Sequence, residues 1–128
     1  MSQNGNRKVA TLCRVRDLYR AIGEFAEQFA GRFGLTLDEG MLLCTLEKGG
    51  ELSAGELASA LGLHLPKASK VIASVEARGM VARRIGQADR RQMLFSLTPA
   101  GREALAAVKE ADIGLPPALA AAAGLPGA

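Results

Sequence analysis

From Lys8 to Phe33 the chain carries no proline, and apolar residues recur at Leu12, Val15, Tyr19, Ile22, Ala26, Phe29 and Phe33. Steps of three and four alternate throughout, the spacing of an a/d seam along one face of a helix. Leu18 and Phe25 widen that stripe, so the helix can bury more than one side. The width favours two contacts, one with its own domain and one with a second subunit. Leu12, Val15, Tyr19 and Ile22 are the seam residues assigned to dimerisation. Residues 1–7 are polar and read as a frayed end. Gly34-Leu35 breaks the helix, and Thr36-Leu37-Asp38-Glu39 is a capping box that starts the next. Met41, Leu42, Leu43, Cys44 and Leu46 make this second helix apolar nearly all round, so all five, Cys44 included, are expected in the core. Gly49-Gly50 ends it, and Glu51-Leu52 is expected to form a short strand.

The pattern then shortens. Ser53-Ala54-Gly55-Glu56 is a second capping box, followed by Leu57, Ala58 and Leu61, with Gly62 as the left-handed stop. After Leu63-His64-Leu65, Pro66 sits in a first helical turn, where a missing amide costs nothing. The helix it opens runs to Arg78 and stops at Gly79. Two short helices joined by a turn of this length form a helix-turn-helix. On the second helix Ala68, Val71, Ile72 and Val75 face one way, which is the core side. The opposite side holds Pro66, Ser69, Lys70, Ala73 and Ala77, with Ser74 beside them and Lys67 and Arg78 on a flank. Such small side chains let a helix backbone approach another surface closely, as on a major-groove floor. A solvated helix with a few alanines explains this helix alone equally well. Met80–Ile85 and Gln92–Leu97 follow as two apolar-rich runs around Gly86-Gln87-Ala88-Asp89-Arg90-Arg91, a β-hairpin with a charged tip. A helix-turn-helix leading directly into a hairpin is a winged helix.

Thr98 and Pro99 cap a further helix reaching Glu110 or Asp112, with Leu105 and Val108 as its core residues. Gly114-Leu115-Pro116-Pro117 is a firm break, and residues 118–128 have room for two helical turns. The fold class is therefore mainly α, an α+β winged helix-turn-helix. It has a long N-terminal helix, a three-helix core with a β-hairpin wing, and C-terminal helices for dimerisation. One winged-helix domain spans 1–128, with the helix-turn-helix and wing at 53–97 and the dimerisation helices at 8–33 and 98–123.

Composition narrows the function. The 128 residues suit one domain, and 48% hydrophobic content supports a core that is aliphatic, since only five residues are aromatic. Two cysteines and one histidine leave no ordinary structural zinc site, and no cofactor is expected. There is no Ser-His-Asp set and no glycine-rich phosphate loop, so an enzyme is not expected. The N-terminus has no apolar signal region and no run reaches membrane-spanning length, which sets the expectation of a cytoplasmic protein without a membrane partner.

Charge gives the decisive tilt. Residues 64–102 hold eight Lys/Arg against Glu76 and Asp89, a net +6, whereas 1–63 carry −1 and 103–128 carry −2. The chain's net +3 is thus concentrated in the second helix of the pair and the hairpin, as a phosphate partner requires.

Specific text then carries a resemblance. Glu56-Leu-Ala-Ser-Ala-Leu-Gly-Leu63, Ser69-Lys-Val-Ile-Ala-Ser-Val-Glu-Ala-Arg-Gly-Met-Val81, the wing's Asp89-Arg90-Arg91 and Leu97-Thr-Pro-Ala-Gly101 resemble the MarR family of bacterial transcriptional regulators over about residues 8–110. The Asp-x-Arg wing followed by Leu-Thr-x-x-Gly is the specific part, because many winged-helix families share the helix-turn-helix. The resemblance implies a homodimer in which the first and last helices of two subunits interlock. It implies Arg91 entering a minor groove, where width and potential are read more than base identity, and Asp89 holding the loop. It also implies a small ligand, often phenolic, between the dimer layer and the DNA-binding lobe. The final helix is shorter here than the family's.

Together these give a sequence-specific regulator of the MarR type, a repressor, binding double-stranded DNA at a pseudo-palindromic operator. The DNA-facing set is Ser53, His64, Pro66, Lys67, Ser69, Lys70, Ala73, Ser74, Arg78, Arg83, Arg84, Asp89, Arg90 and Arg91. Ser69 and Lys70 are assigned to base edges, Pro66 and Ala73 to thymine methyls, and Lys67, Arg78, Arg83, Arg84 and Arg90 to phosphates. His64 reads either as a solvated turn residue or as a phosphate contact. Two alternatives stand beside this. One is a winged-helix protein-interaction module that does not bind specific DNA. The other is a redox-sensing regulator acting through Cys13, which Arg14 and Arg16 flank.

Overall fold

The computed structural model describes residues 3–111 and 113–124, with side chains from residue 5 onward. In chain order the elements are α1 (Gln3–Phe33), α2 (Leu37–Gly49), β1 (Leu52–Ser53), α3 (Ala54–Leu61), α4 (Leu65–Ala77), β2 (Val81–Ile85), β3 (Met93–Leu97), α5 (Pro99–Glu110) and α6 (Pro117–Ala122). They fall into two compact units. One holds residues 33–111, and the other holds α1 up to Arg32 with the segment after residue 112.

The 33–111 unit is built around α2. Thr36 accepts from the Glu39 amide while the Glu39 carboxylate accepts from the Thr36 amide, so the helix starts with two otherwise orphaned donors satisfied. Its buried stripe is Glu39, Gly40, Leu42, Leu43 and Leu46, against which α3, α4, α5 and β3 pack. Leu35, Leu57, Ala58, Ala68, Ile72, Val75, Val81, Phe95 and Leu105 complete the core. Each fully buried leucine contributes about 1.5–3 kcal/mol relative to exposure. Val71 and Val108 are half-buried.

The sheet is three-stranded and antiparallel in the order β1-β3-β2. Leu52 and Arg83 flank Phe95 in one row, and Ser53 and Arg84 flank Leu94 in the next. Side chains of successive rows point to opposite faces, so Phe95 faces the core and its neighbours' alternation is set. After the wing, the Thr98 hydroxyl accepts from the Gly101 amide and donates to the Gly79 carbonyl, tying the start of α5 to the end of α4.

In the other unit, Ala21, Phe29 and Ala120 are buried, and the Phe25 and Phe29 rings lie 6.0 Å apart. The N-terminal half of the seam is different: Leu12, Val15, Tyr19 and Ile22 are exposed in the single chain, as is Val9 ahead of them.

Three expectations change. Residues 3–7 are helical, not frayed, because extending an existing helix adds a hydrogen bond for each residue fixed and needs no apolar stripe. Cys44 is exposed, as is Met41. At 100° per residue both lie on the side of α2 away from Leu42, Leu43 and Leu46, and the apolar run is wider than the arc its neighbours cover. The short strand is Leu52–Ser53, one residue later than expected, because its register with β3 places Leu52 opposite Phe95. Helix α5 ends at Glu110, one of its two expected ends, and the other, Asp112, lies outside the described residues.

Candidate nucleic-acid interface

Helix α3 starts at Ser53, whose hydroxyl accepts from the Glu56 amide while Glu56 reaches back to the Ser53 amide. Gly62 ends it at φ +67, a conformation that costs a residue with a Cβ. His64 takes the N-cap position of α4 with an exposed ring that makes no capping hydrogen bond. Ala68, Ile72 and Val75 anchor α4 to the core, leaving Pro66, Lys67, Ser69, Lys70, Ala73, Ser74 and Ala77 outward.

The wing tip is held by its own backbone. The Gly86 amide donates to the Gln92 carbonyl at 2.7 Å and the Gln92 amide to the Asp89 carbonyl at 3.0 Å. The Asp89 carboxylate accepts from the Arg91 amide at 3.0 Å, an Asx-type turn that fixes the loop and aims Arg91 outward. Arg91 is almost wholly in solvent, its side chain 94% exposed and 3.5 Å from Asp89 at the closest approach.

Helix and wing meet across a cleft of about 410 Å³. Ser69 and Ala73 of α4 line one wall, and Arg83, Arg91, Gln92 and Met93 of the wing line the other. The N-terminus of α3, including Ser53, closes one end. Leu65, half exposed at the start of α4, is part of the lining. On the other flank of α4 a smaller hollow of about 310 Å³ is lined by Lys67, Lys70 and Ser74 together with Thr36, Asp38 and Glu39.

The cations differ in what holds them. Lys67 lies 3.8 Å from Asp38. Arg78 donates to the Gly34 carbonyl at 2.8 Å and lies 3.9 Å from Glu39, so it ties the end of α4 to the turn before α2. The Ser74 hydroxyl, on the outer face in sequence terms, donates to Glu39 at 2.6 Å. Arg83 pairs with Glu76, and Arg84 with Glu51, each through two guanidinium nitrogens. Among the described residues Lys70, Arg90 and Arg102 have no acidic partner. Asp38, Glu39 and Glu51 lie outside residues 64–102, so the +6 of that segment is partly met by acids from elsewhere in the fold.

Sequence reasoning missed several members of this site. Glu39 was legible as a cap, but its second oxygen accepts from Ser74, and the capping oxygen also faces the Arg78 charge. Burial of this carboxylate opposes ionisation, yet the hydrogen bonds from Ser74 and Thr36 and the Arg78 charge outweigh it and hold it below the ordinary range. Glu51, Glu76, Leu65, Gln92 and Met93 carried no local signal beyond their nearness to the wing and turn.

The seam residues Leu12, Val15, Tyr19 and Ile22 stand on α1, in the other unit, where Cys13 is exposed beside them. Among the described residues no group of three or more His, Cys, Asp or Glu side chains is placed to hold a metal ion, and no helix is long and apolar enough to cross a membrane.

The MarR family model matches residues 35–93, which contain the helix-turn-helix and most of the wing. The structure of a probable transcriptional regulator from Pseudomonas aeruginosa is 31% identical, with a TM-score of 0.66 over 73% of this chain and 74% of that one. The chain belongs to the MarR family. Further MarR-like folds are the regulator BldR from Sulfolobus solfataricus (23% identity, TM-score 0.74, 86% of this chain and 78% of that one) and a cysteine-to-serine mutant of E. coli MarR complexed with operator DNA (17% identity, TM-score 0.72, 83% and 76%). No curated protein sequence matches the chain. MarR-family proteins are transcriptional regulators rather than enzymes.

Proposed function

We propose that this MarR-family regulator is a homodimeric repressor of cytoplasmic location that binds a pseudo-palindromic double-stranded operator. The observation that carries this reading is the shared cleft: Ser69 and Ala73 of the recognition helix and Arg91 of the wing line one surface hollow. A helix face of small side chains suits the major groove, and an arginine projecting from a pinned loop suits the adjacent minor groove. That a MarR mutant is known in complex with operator DNA supports the assignment. Lys70, Arg90 and Arg91 are the cations best placed to meet the duplex. Lys67 meets it after exchanging a long contact with Asp38 for a phosphate.

Selection from a random pool of duplexes tests this. The expected result is an enriched pseudo-palindrome with half-sites about 34–36 Å apart, bound with a steep salt dependence. Arg91→Ala should then lower affinity for the enriched duplex roughly tenfold while leaving the unfolding curve unchanged. Weak binding with no enrichment overturns the DNA-binding reading in favour of a protein-interaction module. Repression predicts that deleting the gene raises expression from promoters carrying the enriched site.

The exposed α1 seam supports the dimer. Five large apolar side chains stand in solvent on one helix face, an arrangement a partner helix would cover. Residues 8–33 and 98–123 are the segments assigned to that layer. Val15→Glu places a charge in the seam at a position already exposed in the single chain. It should halve the mass measured by light scattering without loss of helical content, and an unchanged mass would remove α1 from the interface.

A further inference from the structure

The wing arginines Arg83 and Arg84 follow one another on β2 and therefore point to opposite faces of the sheet. Each is met by a glutamate from another element. Arg83 donates from Nε and Nη2 to the two carboxylate oxygens of Glu76, both at 2.6 Å, with its guanidinium 5.5 Å from the centre of the Phe95 ring. Glu76 belongs to the last turn of α4. Arg84 makes the same two-pronged pairing with Glu51, its Nη2 at 2.8 Å from Oε1. These are fork-to-fork pairs, the geometry a phosphate would otherwise take. At the tip and on α4 the pattern stops: Arg90 and Lys70 have no acidic partner among the described residues, and Arg91 touches Asp89 only loosely.

We propose that Glu76 and Glu51 act as internal stand-ins for phosphate, keeping Arg83 and Arg84 from general attraction to nucleic acid so that contact is made by α4 and the wing tip. The inference rests on the DNA-binding reading above and assigns to two acids a part in specificity. Pairs this exposed contribute little to stability, about 0–1 kcal/mol each. A phosphate contact, by contrast, adds about 0.9 to the salt slope of duplex binding. The glutamates should therefore matter more to binding than to folding. Glu76 also joins the recognition helix to the wing, so it fixes the spacing between the two reading elements.

The test uses Glu76→Gln and Glu51→Gln, which keep shape and remove charge, with the enriched duplex and a scrambled one across a salt series. For the scrambled duplex each variant should steepen the slope by about 0.9 and raise affinity about threefold to tenfold near 0.1 M salt. The enriched duplex should gain less, so that selectivity falls. The glutamine changes should have no such effect in the Arg83→Ala and Arg84→Ala backgrounds respectively, the signature of a coupled pair. Glu103→Gln, an exposed acid on α5, is the control for net charge alone and should leave the slope unchanged. Unchanged slopes for Glu76→Gln and Glu51→Gln, or equal effects in the arginine-free backgrounds or from Glu103→Gln, overturn the inference. If the parent protein binds neither duplex, the DNA-binding reading falls and takes this inference with it, an outcome told apart because the parent is measured first.

Discussion

Gly101→Ala is expected to lower the unfolding free energy by about 3 kcal/mol, at the upper end of what overpacking costs. A Cβ at this position would lie 2.2 Å from the Met80 carbonyl oxygen and 3.1 Å from a Leu97 methyl. The leucine could rotate away. The carbonyl cannot move as freely, because it accepts the Thr98 amide at 3.0 Å, and the Thr98 hydroxyl is bound in turn to the neighbouring Gly79 carbonyl. Relief would have to come from shifting the start of α5 off the end of α4, which opens the seat of Leu105. The measurement is urea or thermal unfolding, with a fall in midpoint of roughly 10 °C for a chain of this size. Gly23→Ala is the matched comparison. That glycine has open space around it within α1, so alanine there should stabilise by up to about 1 kcal/mol through helix propensity. A midpoint unchanged by Gly101→Ala would show that the close approach is not rigid.

Glu39→Ala should cost about 2–3 kcal/mol, because it orphans several partners at once. Glu39 is only 6% exposed, and its two oxygens accept the Thr36 amide at 2.7 Å and the Ser74 hydroxyl at 2.6 Å, with Arg78 at 3.9 Å. Its loss removes the side-chain half of the α2 capping box, leaving the Thr36 amide unpaired, and the bond to Ser74 of α4. The acid dependence identifies the carboxylate as the cause. Glu39 titrates below its ordinary range in the folded chain, despite burial, because the hydrogen bonds and the Arg78 charge favour the anion. A folded pKa lowered in this way gives stability that is present above the unfolded value of about 4.3 and is lost as pH falls through the folded value. Stability of the parent should therefore decline as pH falls from about 4.5. Glu39→Gln should start lower and decline less steeply over that range. Glu51, Glu56 and Glu76 are lowered as well, chiefly by hydrogen bonds from Arg84, the Ser53 backbone and Arg83, so part of the decline remains in the variant. Parallel curves for parent and Glu39→Gln would assign the acid sensitivity elsewhere.

Much of this protein was readable where the physics is local. A capping box needs only a hydroxyl and a carboxylate three residues apart, and both boxes form as written, at Thr36 and Ser53. Gly62 ends α3 in the left-handed conformation, Thr98 caps α5, and the hairpin runs within a residue of its expected ends. The 3.6-residue period sorted α4 into a core side and an outer side correctly. The same reasoning overreached on α2, where an apolar sequence exceeded the arc its neighbours cover and left Met41 and Cys44 exposed.

The amino-acid order by itself determined the succession of helices, the hairpin and the concentration of cations at residues 64–102, because each depends on neighbours a few positions apart. Which cations stand free was decided only by the tertiary structure. Glu51 reaches Arg84 across 33 residues, Glu39 reaches Ser74 across 35, and Arg78 reaches Gly34 across 44. A charge count has no knowledge of such pairs, since they form only when the core brings α2, α4 and the wing together. The glycine of the Leu-Thr-Pro-Ala-Gly run shows the same division: its presence was plain in the text, and the Met80 carbonyl that forbids any larger residue was not.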